Sequence, residues 1–412
     1  MTIAQFSQHP ASPFYSTRGD ELLVGGYTLS ELVARIGHTP FYVYDREVIA
    51  QQIRALRAAF PSEVELHYAM KANPMPEVVR FIGPLVDGLD VASGRELKVA
   101  LTTGIAPLDI SFAGPGKSVE ELQQAIAAGI VINLESPREL REVVTIARAT
   151  NKCPPVCVRV NPDFELKSSG MKMGGGPRQF GVDAEAVPAL LQSMRGQPVQ
   201  FMGFHIFSGS QNLKPESIVE AQQKAVELAA RLAAGAPAPV QLLNIGGGLG
   251  IPYFPGEDRL ALAPIRANLE TLAFRAKLLL PAAKLVIELG RYLVGEAGVY
   301  VCRVVDRKLS RGEVFLVTDG GLHHHLAASG NFGQVLRKNY PVLIGNRMQD
   351  SQREVSSVVG PLCTPLDLLA DRMPLAPAQE GDLVVVFMSG AYGFTASPMR
   401  FLSHPEPTEH LV

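Results

Sequence analysis

From about residue 46 to 285, short apolar runs alternate with stretches whose apolar residues recur at three and four positions. That alternation is the pattern of strand–helix units laid around a parallel sheet. It predicts strands at Val64–Ala69, Gly88–Val91, Ile110–Phe112, Val131–Leu134, Val156–Val160, Gly203–Phe207, Leu242–Ile245 and Leu285–Glu288. Eight such strands suit a closed barrel. Helices are predicted at Arg46–Ala59, Val119–Ala128, Pro137–Ala149 and Glu216–Ala234, each with one apolar stripe. Ser136 before Pro137 adds an N-cap and a proline at the first helical position. Beyond about residue 290 the period changes, and Gly298–Val305, Val314–Thr318, Glu354–Val359 and Leu383–Met388 read as strands with little helix between. Glu21–Val24 and Thr39–Tyr44 are extended as well. The expected fold is α/β, a (β/α)8 barrel over residues 46–288 plus a C-terminal Greek-key-like β-domain over residues 289–412. Residues 1–45 are expected to join that β-domain.

The 412 residues suffice for two domains and a large core, and a net charge of -2 with 19% charged residues gives no field to hold nucleic acid. Of the four cysteines, Cys153, Cys157, Cys302 and Cys363, only the first two approach ligand spacing. Their Cys-Pro-Pro-Val-Cys run is one residue longer than a zinc knuckle and has no second pair, so no metal is expected. Met1–Tyr15 lacks a basic start followed by an apolar run, and no stretch is apolar enough to span a membrane. A soluble cytoplasmic protein with reduced thiols follows as the expectation.

Catalytic groups of such barrels gather at the C-terminal ends of the strands. Lys71 follows the first predicted strand, read as apolar, and a desolvated amine there is a nucleophile for an aldehyde. On its own, a strand-end lysine is more often a surface charge. Asn244-Ile245-Gly246-Gly247-Gly248-Leu249-Gly250 follows another strand, and its glycines would let backbone N–H groups approach a phosphate, although a plain turn reads the same way. Glu288-Leu289-Gly290-Arg291 offers a carboxylate that can face a pyridine nitrogen, or else an ordinary ion pair. In His205-Ile206-Phe207-Ser208-Gly209-Ser210, alternation turns His205 and Phe207 to one side and leaves the Ser210 hydroxyl in a loop.

With those residues placed, the chain resembles the diaminopimelate and ornithine decarboxylases, pyridoxal-phosphate enzymes of fold type III. The carriers are His67 to Asn73, Leu89 to Leu97, Arg159-Val160-Asn161-Pro162, Gly246 to Gly248, Glu288 to Arg291, Gly360 to Asp367 and Gly390-Ala391-Tyr392. Leu166 to Gly176 and the Leu362-to-Asp367 run resemble, more narrowly, the decarboxylase branch associated with the exosortase A system. The resemblance implies an alanine-racemase-like barrel, with the Lys71 amine holding the cofactor aldehyde and Glu288 on the ring nitrogen. Ser210, Gly247, Gly248, Gly290, Arg291 and Tyr392 would surround the phosphate, with Asp90 and Arg159 also among the cofactor-binding residues. Cys363, supplied by the partner subunit of a homodimer, would reprotonate the α-carbon.

The chain also departs from that family. Its ring-stacking histidine would fall at Phe207, so Phe207 is expected to stack and His205 to line the pocket. Thr364 stands where relatives carry an acid for a distal ammonium, and Ala327 where diaminopimelate decarboxylases carry an arginine. Thr364 and His323, the latter in the triplet His323-His324-His325, are expected to line the substrate site. A large or neutral tail follows, such as an aminoacyl group on a carrier protein. An amino-acid racemase on the same barrel and a catalytically silent regulatory homologue are the alternatives.

Overall fold

The computed structural model describes residue 9 and residues 12–165, 171–172 and 174–412. Leu166 to Gly170 and Met173, which carry part of the narrower resemblance, lie outside the described residues. The chain forms two compact units. One comprises Gln52–Gly250 and Leu260–Tyr292, the other Met1–Gln51, Ile251–Arg259 and Leu293–Val412.

The first unit is a closed parallel barrel of β1 (Val64–Ala69), β2 (Gly88–Val91), β3 (Ile110–Phe112), β4 (Val131–Leu134), β5 (Pro155–Asn161), β6 (Gln200–Ile206), β7 (Leu242–Gly247) and β8 (Lys284–Leu289). Each strand pairs with the next, and β8 returns to β1. Two boundaries differ from the sequence expectation in ways that matter for the site. β6 stops at Ile206, which leaves Phe207 just past the strand, and β7 continues to Gly247, so the glycine run begins inside it. Three intervening helices are fixed at their starts by Ser93, Ser118 and Ser136, whose hydroxyls accept the N–H of Glu96, Glu121 and Glu139. Ala263–Leu279 escaped the sequence pattern because it has no capping side chain and exposes Phe274, Leu278 and Leu279, which blurs its apolar stripe.

The inner face of the barrel is polar, and this corrects the expectation of an apolar strand ahead of Lys71. Along β1, Val64, Leu66 and Tyr68 are buried on one face, while Glu65 and His67 share the other. The His67 Nδ1 lies 3.7 Å from Asp90 Oδ1 and its Nε2 lies 3.8 Å from Glu65 Oε2. Ser111 donates its hydroxyl to Asp90 at 2.5 Å and accepts from the Asn133 amide at 3.0 Å, carrying the ladder across β1 to β4. Gly88, opposite His67 in register, makes room for the imidazole, since a Cβ there would fall 2.5 Å from the ring.

The second unit is built on the 13-residue strand Gly298–Ser310. Its first half pairs antiparallel with Phe41–Tyr44 and Leu383–Val386, its second half with Glu313–Thr318. Glu354–Val359 lies parallel to Glu313–Thr318, and Leu368–Leu375 pairs antiparallel beyond it. The helix Leu29–Ile36 starts from a capping box of Thr28 and Glu31. All four cysteines are free, Cys157 and Cys302 buried, Cys153 and Cys363 exposed. Among the described residues no helix is long and apolar enough to cross a membrane, and no group of three His, Cys, Asp or Glu is set to hold a metal ion.

Burial alone would strip the proton from His67, but Asp90 and Glu65 outweigh it and push the pKa from 6.5 up to about 9. The folded pKa lies above the unfolded one, so the stabilisation is full below the unfolded pKa and is lost as pH rises through the folded one. The stability gap between the wild type and His67→Gln should therefore shrink by roughly 3 kcal/mol between about pH 6 and about pH 10, read from denaturation midpoints. A gap that stays constant over that range would mean the imidazole is buried neutral.

Candidate active site

Four adjacent strands deliver the centre of the site. His205 on β6 is the register partner of Asn244 on β7, and Glu288 on β8 is the partner of His67 on β1. Glu288, only 6% exposed, has Oε2 3.0 Å from His205 Nε2 and accepts the Asn244 Nδ2–H at 3.3 Å. Its Oε1 lies 3.5 Å from Lys71 Nζ. Lys71 sits in the single 3-10 turn Met70–Ala72 that ends β1, a turn pinned by the Tyr68 hydroxyl donating to the Asn73 carbonyl at 2.8 Å. Phe207 turns its ring to the same amine, 5.5 Å from centroid to Nζ. Burial would raise the Glu288 pKa, yet the Lys71 ammonium, His205 and Arg159 together hold it well below the usual carboxylate range. A buried anion next to an amine on a strand end is therefore what the structure maintains.

The glycine run wraps the same cluster. Gly246 donates its N–H to Asn244 Oδ1 at 2.8 Å. A Cβ at Gly247 would fall 2.1 Å from the Glu288 carbonyl oxygen, and one at Gly248, whose φ is +75°, would fall 2.4 Å from the Gly209 carbonyl. Only glycine lets the three backbones close up here. Asn212 donates its N–H to the Gly248 carbonyl at 2.9 Å. Ser210, expected in a loop, belongs to a two-residue strand, Gly209–Ser210, paired with Met171–Lys172. Gly290 packs on the Ala69 carbonyl and the Ala72 methyl, and Arg291 opens the short helix Arg291–Val294.

Arg159 and Asp90 are held by partners that the sequence reading did not single out. The Arg159 guanidinium pairs with Glu135 at 2.7 Å and lies 5.0 Å from the Phe180 ring centroid. Glu135 also accepts the N–H groups of Gly114 and Gly181, at 2.5 and 3.0 Å. Beside it the buried Lys117 pairs with the buried Glu139 at 3.1 Å. Glu135 stands directly after β4, at a strand end of the kind where a barrel gathers its chemistry, so its position in the sequence carries the signal. Asp90 has His67 and Ser111 for partners.

The remaining candidates lie in the second unit. The exposed Cys363 rides on the Gly360–Asp367 turn, which Asp367 closes by accepting the Leu362 N–H at 2.8 Å and the Leu322 N–H at 2.6 Å. The Thr364 hydroxyl accepts the Leu366 N–H at 3.3 Å, a bond inside the turn. His323 is fully buried and packs with tilted rings against His324 and His404, with centroids 3.7 and 5.2 Å away. His324 and His325 serve the fold, the former between Tyr300 and the Pro405 carbonyl, the latter between Ser389 and the Ala328 N–H. Burial pushes the three imidazole pKa values down to about 3, 4 and 3 in chain order, so the triplet is uncharged at neutral pH. Tyr392 is half-buried at a φ of +57°.

Residues 46–295 match the family model described as "Pyridoxal-dependent decarboxylase, pyridoxal binding domain". The chain is 39% identical over 379 residues to the L-glutamyl-[BtrI acyl-carrier protein] decarboxylase of Niallia circulans, covering 90% of this chain and 88% of that one. It is 33% identical over 404 residues to the diaminopimelate decarboxylase of Aquifex aeolicus, covering 97% and 93%. Among solved structures, the Helicobacter pylori diaminopimelate decarboxylase complexed with L-lysine superimposes with a TM-score of 0.81 at 27% identity, covering 93% of this chain and 94% of that one.

The contacts at Gly248 set up a comparison with Gly256, whose φ of +77° is as unusual but whose surroundings are open. Gly256→Ala should cost about 1–2 kcal/mol for the left-handed backbone alone. Gly248→Ala should cost on the order of 1–3 kcal/mol more for the overlap with Gly209, as measured by denaturant midpoints. Equal losses would mean that the Gly209 strand simply yields.

Proposed function

The chain belongs to the pyridoxal-dependent decarboxylase family, and on that premise we propose that its substrate is an α-amino acid group whose tail is neutral and tethered to a carrier protein. Its family's cofactor is pyridoxal phosphate, and the reaction class is the removal of an α-carboxylate as carbon dioxide. One observation carries the choice of tail. The two positions expected to meet the tail offer no charge here, because Thr364 has no ionisable group and His323 is held neutral by burial. A distal ammonium or carboxylate would gain no charged partner from either residue. The 39% identity to a relative named for a carrier-bound glutamyl group supports the same reading.

The barrel residues fit the cofactor. A glycine cradle too tight for any Cβ, a strand-end amine and a buried carboxylate kept ionised are the groups that a phosphate, an aldehyde and a pyridinium each require. When bound, pyridoxal phosphate supplies an electron sink for the bond that loses carbon dioxide. Lys71 would hold the aldehyde through its amine, and Glu288 would keep a proton at the ring nitrogen. Backbone N–H groups at Gly247, Gly248 and Gly290, with Ser210, Arg291 and Tyr392, would bind the phosphate. Phe207 would present its ring face, while His205 and Arg159 act on the Glu288 carboxylate and Asp90 lines the cavity. Cys363 would return a proton to the α-carbon.

We also propose a homodimer that shares its sites through Cys363. In support, that residue is exposed in a unit that also exposes large apolar side chains at Val335 (98%), Leu336 (78%) and Leu366 (59%). The expected division of the chain stands as part of the proposal, with residues 46–288 as the cofactor-binding barrel and residues 1–45 and 289–412 as the β-domain.

Carbon dioxide release decides between substrates. Purified, cofactor-saturated protein should turn over an L-glutamyl group on an acyl carrier protein with a kcat/KM roughly 100-fold or more above that for free L-ornithine, L-lysine or meso-diaminopimelate. Lys71→Ala should release nothing. Robust release from a free diamino acid would overturn the carrier reading, and enantiomer exchange without carbon dioxide would turn the assignment to a racemase.

A further inference from the structure

Between β7 and β8 the register slips. Asn244 pairs with Val286 and Gly247 with Glu288, so three steps on one strand oppose two on the other. A bulge of this kind turns backbone groups out of the ladder, and it is here that the glycine run leaves the sheet. One side chain spans the irregularity. Asn244, 5% exposed, accepts the Gly246 N–H on Oδ1 at 2.8 Å and extends Nδ2 to Glu288 Oε2 at 3.3 Å. The orientation of this amide is fixed by chemistry, because a backbone N–H can only donate; the oxygen must face Gly246 and the nitrogen must face the carboxylate.

We infer that Asn244 is a positioning residue that fastens the glycine loop to Glu288, so that one amide sets both the phosphate cradle and the ring-facing acid. The inference rests on the cofactor reading above. Oε2 is taken from two strands, by Asn244 and by His205 Nε2 at 3.0 Å, while Oε1 faces the Lys71 amine. Oε1 would thereby be the oxygen left for the ring nitrogen when the cofactor is bound. No other residue of this size carries a donor and an acceptor in one plane. Serine is too short to reach both partners, and ionised aspartate offers only acceptors.

Aspartate at this position separates the two halves of the role. Asn244→Asp keeps an acceptor for Gly246 but meets Glu288 as a second carboxylate. When the pair shares a proton, the acid can donate to Glu288 as the amide did; when both are ionised, they repel. Asn244→Ala loses both bonds at every pH. The measurement is equilibrium binding to the full-length apoprotein of pyridoxal phosphate and of its 1-deaza analogue, in which carbon replaces the ring nitrogen. Circular dichroism and melting curves confirm that each variant is folded.

The expected result has three parts. Relative to the wild type at the same pH, Asn244→Asp binds pyridoxal phosphate equally well at about pH 6 and about 10-fold or more weakly at about pH 9, a divergence that Asn244→Ala does not show. The 1-deaza analogue shows the divergence weakly or not at all. Asn244→Ala binds both ligands more weakly throughout. If Asn244→Asp runs parallel to the wild type across that range, or if the analogue loses affinity as steeply as the natural cofactor, the link to Glu288 is refuted. Failure of the wild type to bind pyridoxal phosphate would instead strike at the cofactor reading itself.

Discussion

A single buried carboxylate sets the terms for the barrel end of this molecule. Glu288 is almost completely removed from water, and an isolated anion in that position would take up a proton. It is kept charged by an ammonium at 3.5 Å, an imidazole at 3.0 Å and an amide at 3.3 Å, each from a different strand or strand end. Removing any one leaves the others facing a less compensated charge. Such a cluster contributes little net stability compared with an apolar core of the same volume, and its value lies in holding a charge at one point.

The same logic extends down the inner face. His67 lies between Glu65 and Asp90, Asp90 accepts from Ser111, and Arg159 is paired with Glu135. These groups alternate in sign or in donor and acceptor character from strand to strand, so desolvation is offset pairwise around the barrel. A polar interior of this kind is tolerated because the other face of each strand, together with the helices, buries an ordinary apolar core. Val64, Leu66, Leu89, Ile110 and Ile287 are all nearly inaccessible.

Much of this was legible in the chain. The eight strands show themselves because each is a short buried run bounded by turn residues, and the helix after Ser136 because that serine caps it ahead of a proline. The amine, the glycine run and the carboxylate also stand at strand ends, where a barrel gathers its chemistry. What stayed hidden depends on register. Glu65 and His67 sit in a run that reads as apolar, and only their alternation with Leu66 and Tyr68 sends them inward. Asn244 falls within the predicted strand, but its bond to Glu288 across the bulge depends on the register between β7 and β8. Helix Ala263–Leu279 hid for another reason, since its exposed Phe274 and Leu278 resemble core positions in sequence.

The displaced histidine shows how the site divides its labour. In the family pattern the ring-stacking histidine would fall at Phe207, yet here the imidazole is His205, inside β6, and its Nε2 is engaged with Glu288. Phe207, one residue beyond the strand, is free of the period-two constraint and turns its face to Lys71. A phenyl ring has no proton to gain or lose, so the stacking surface that we assign to it is indifferent to pH, whereas a histidine there would bring its own titration beside the amine. Polar duty then passes to His205, which is buried and fixed between β5 and β7. The electrostatic state of the centre is thereby concentrated in Glu288 and its partners on rigid strands, and the stacking surface can vary without disturbing it.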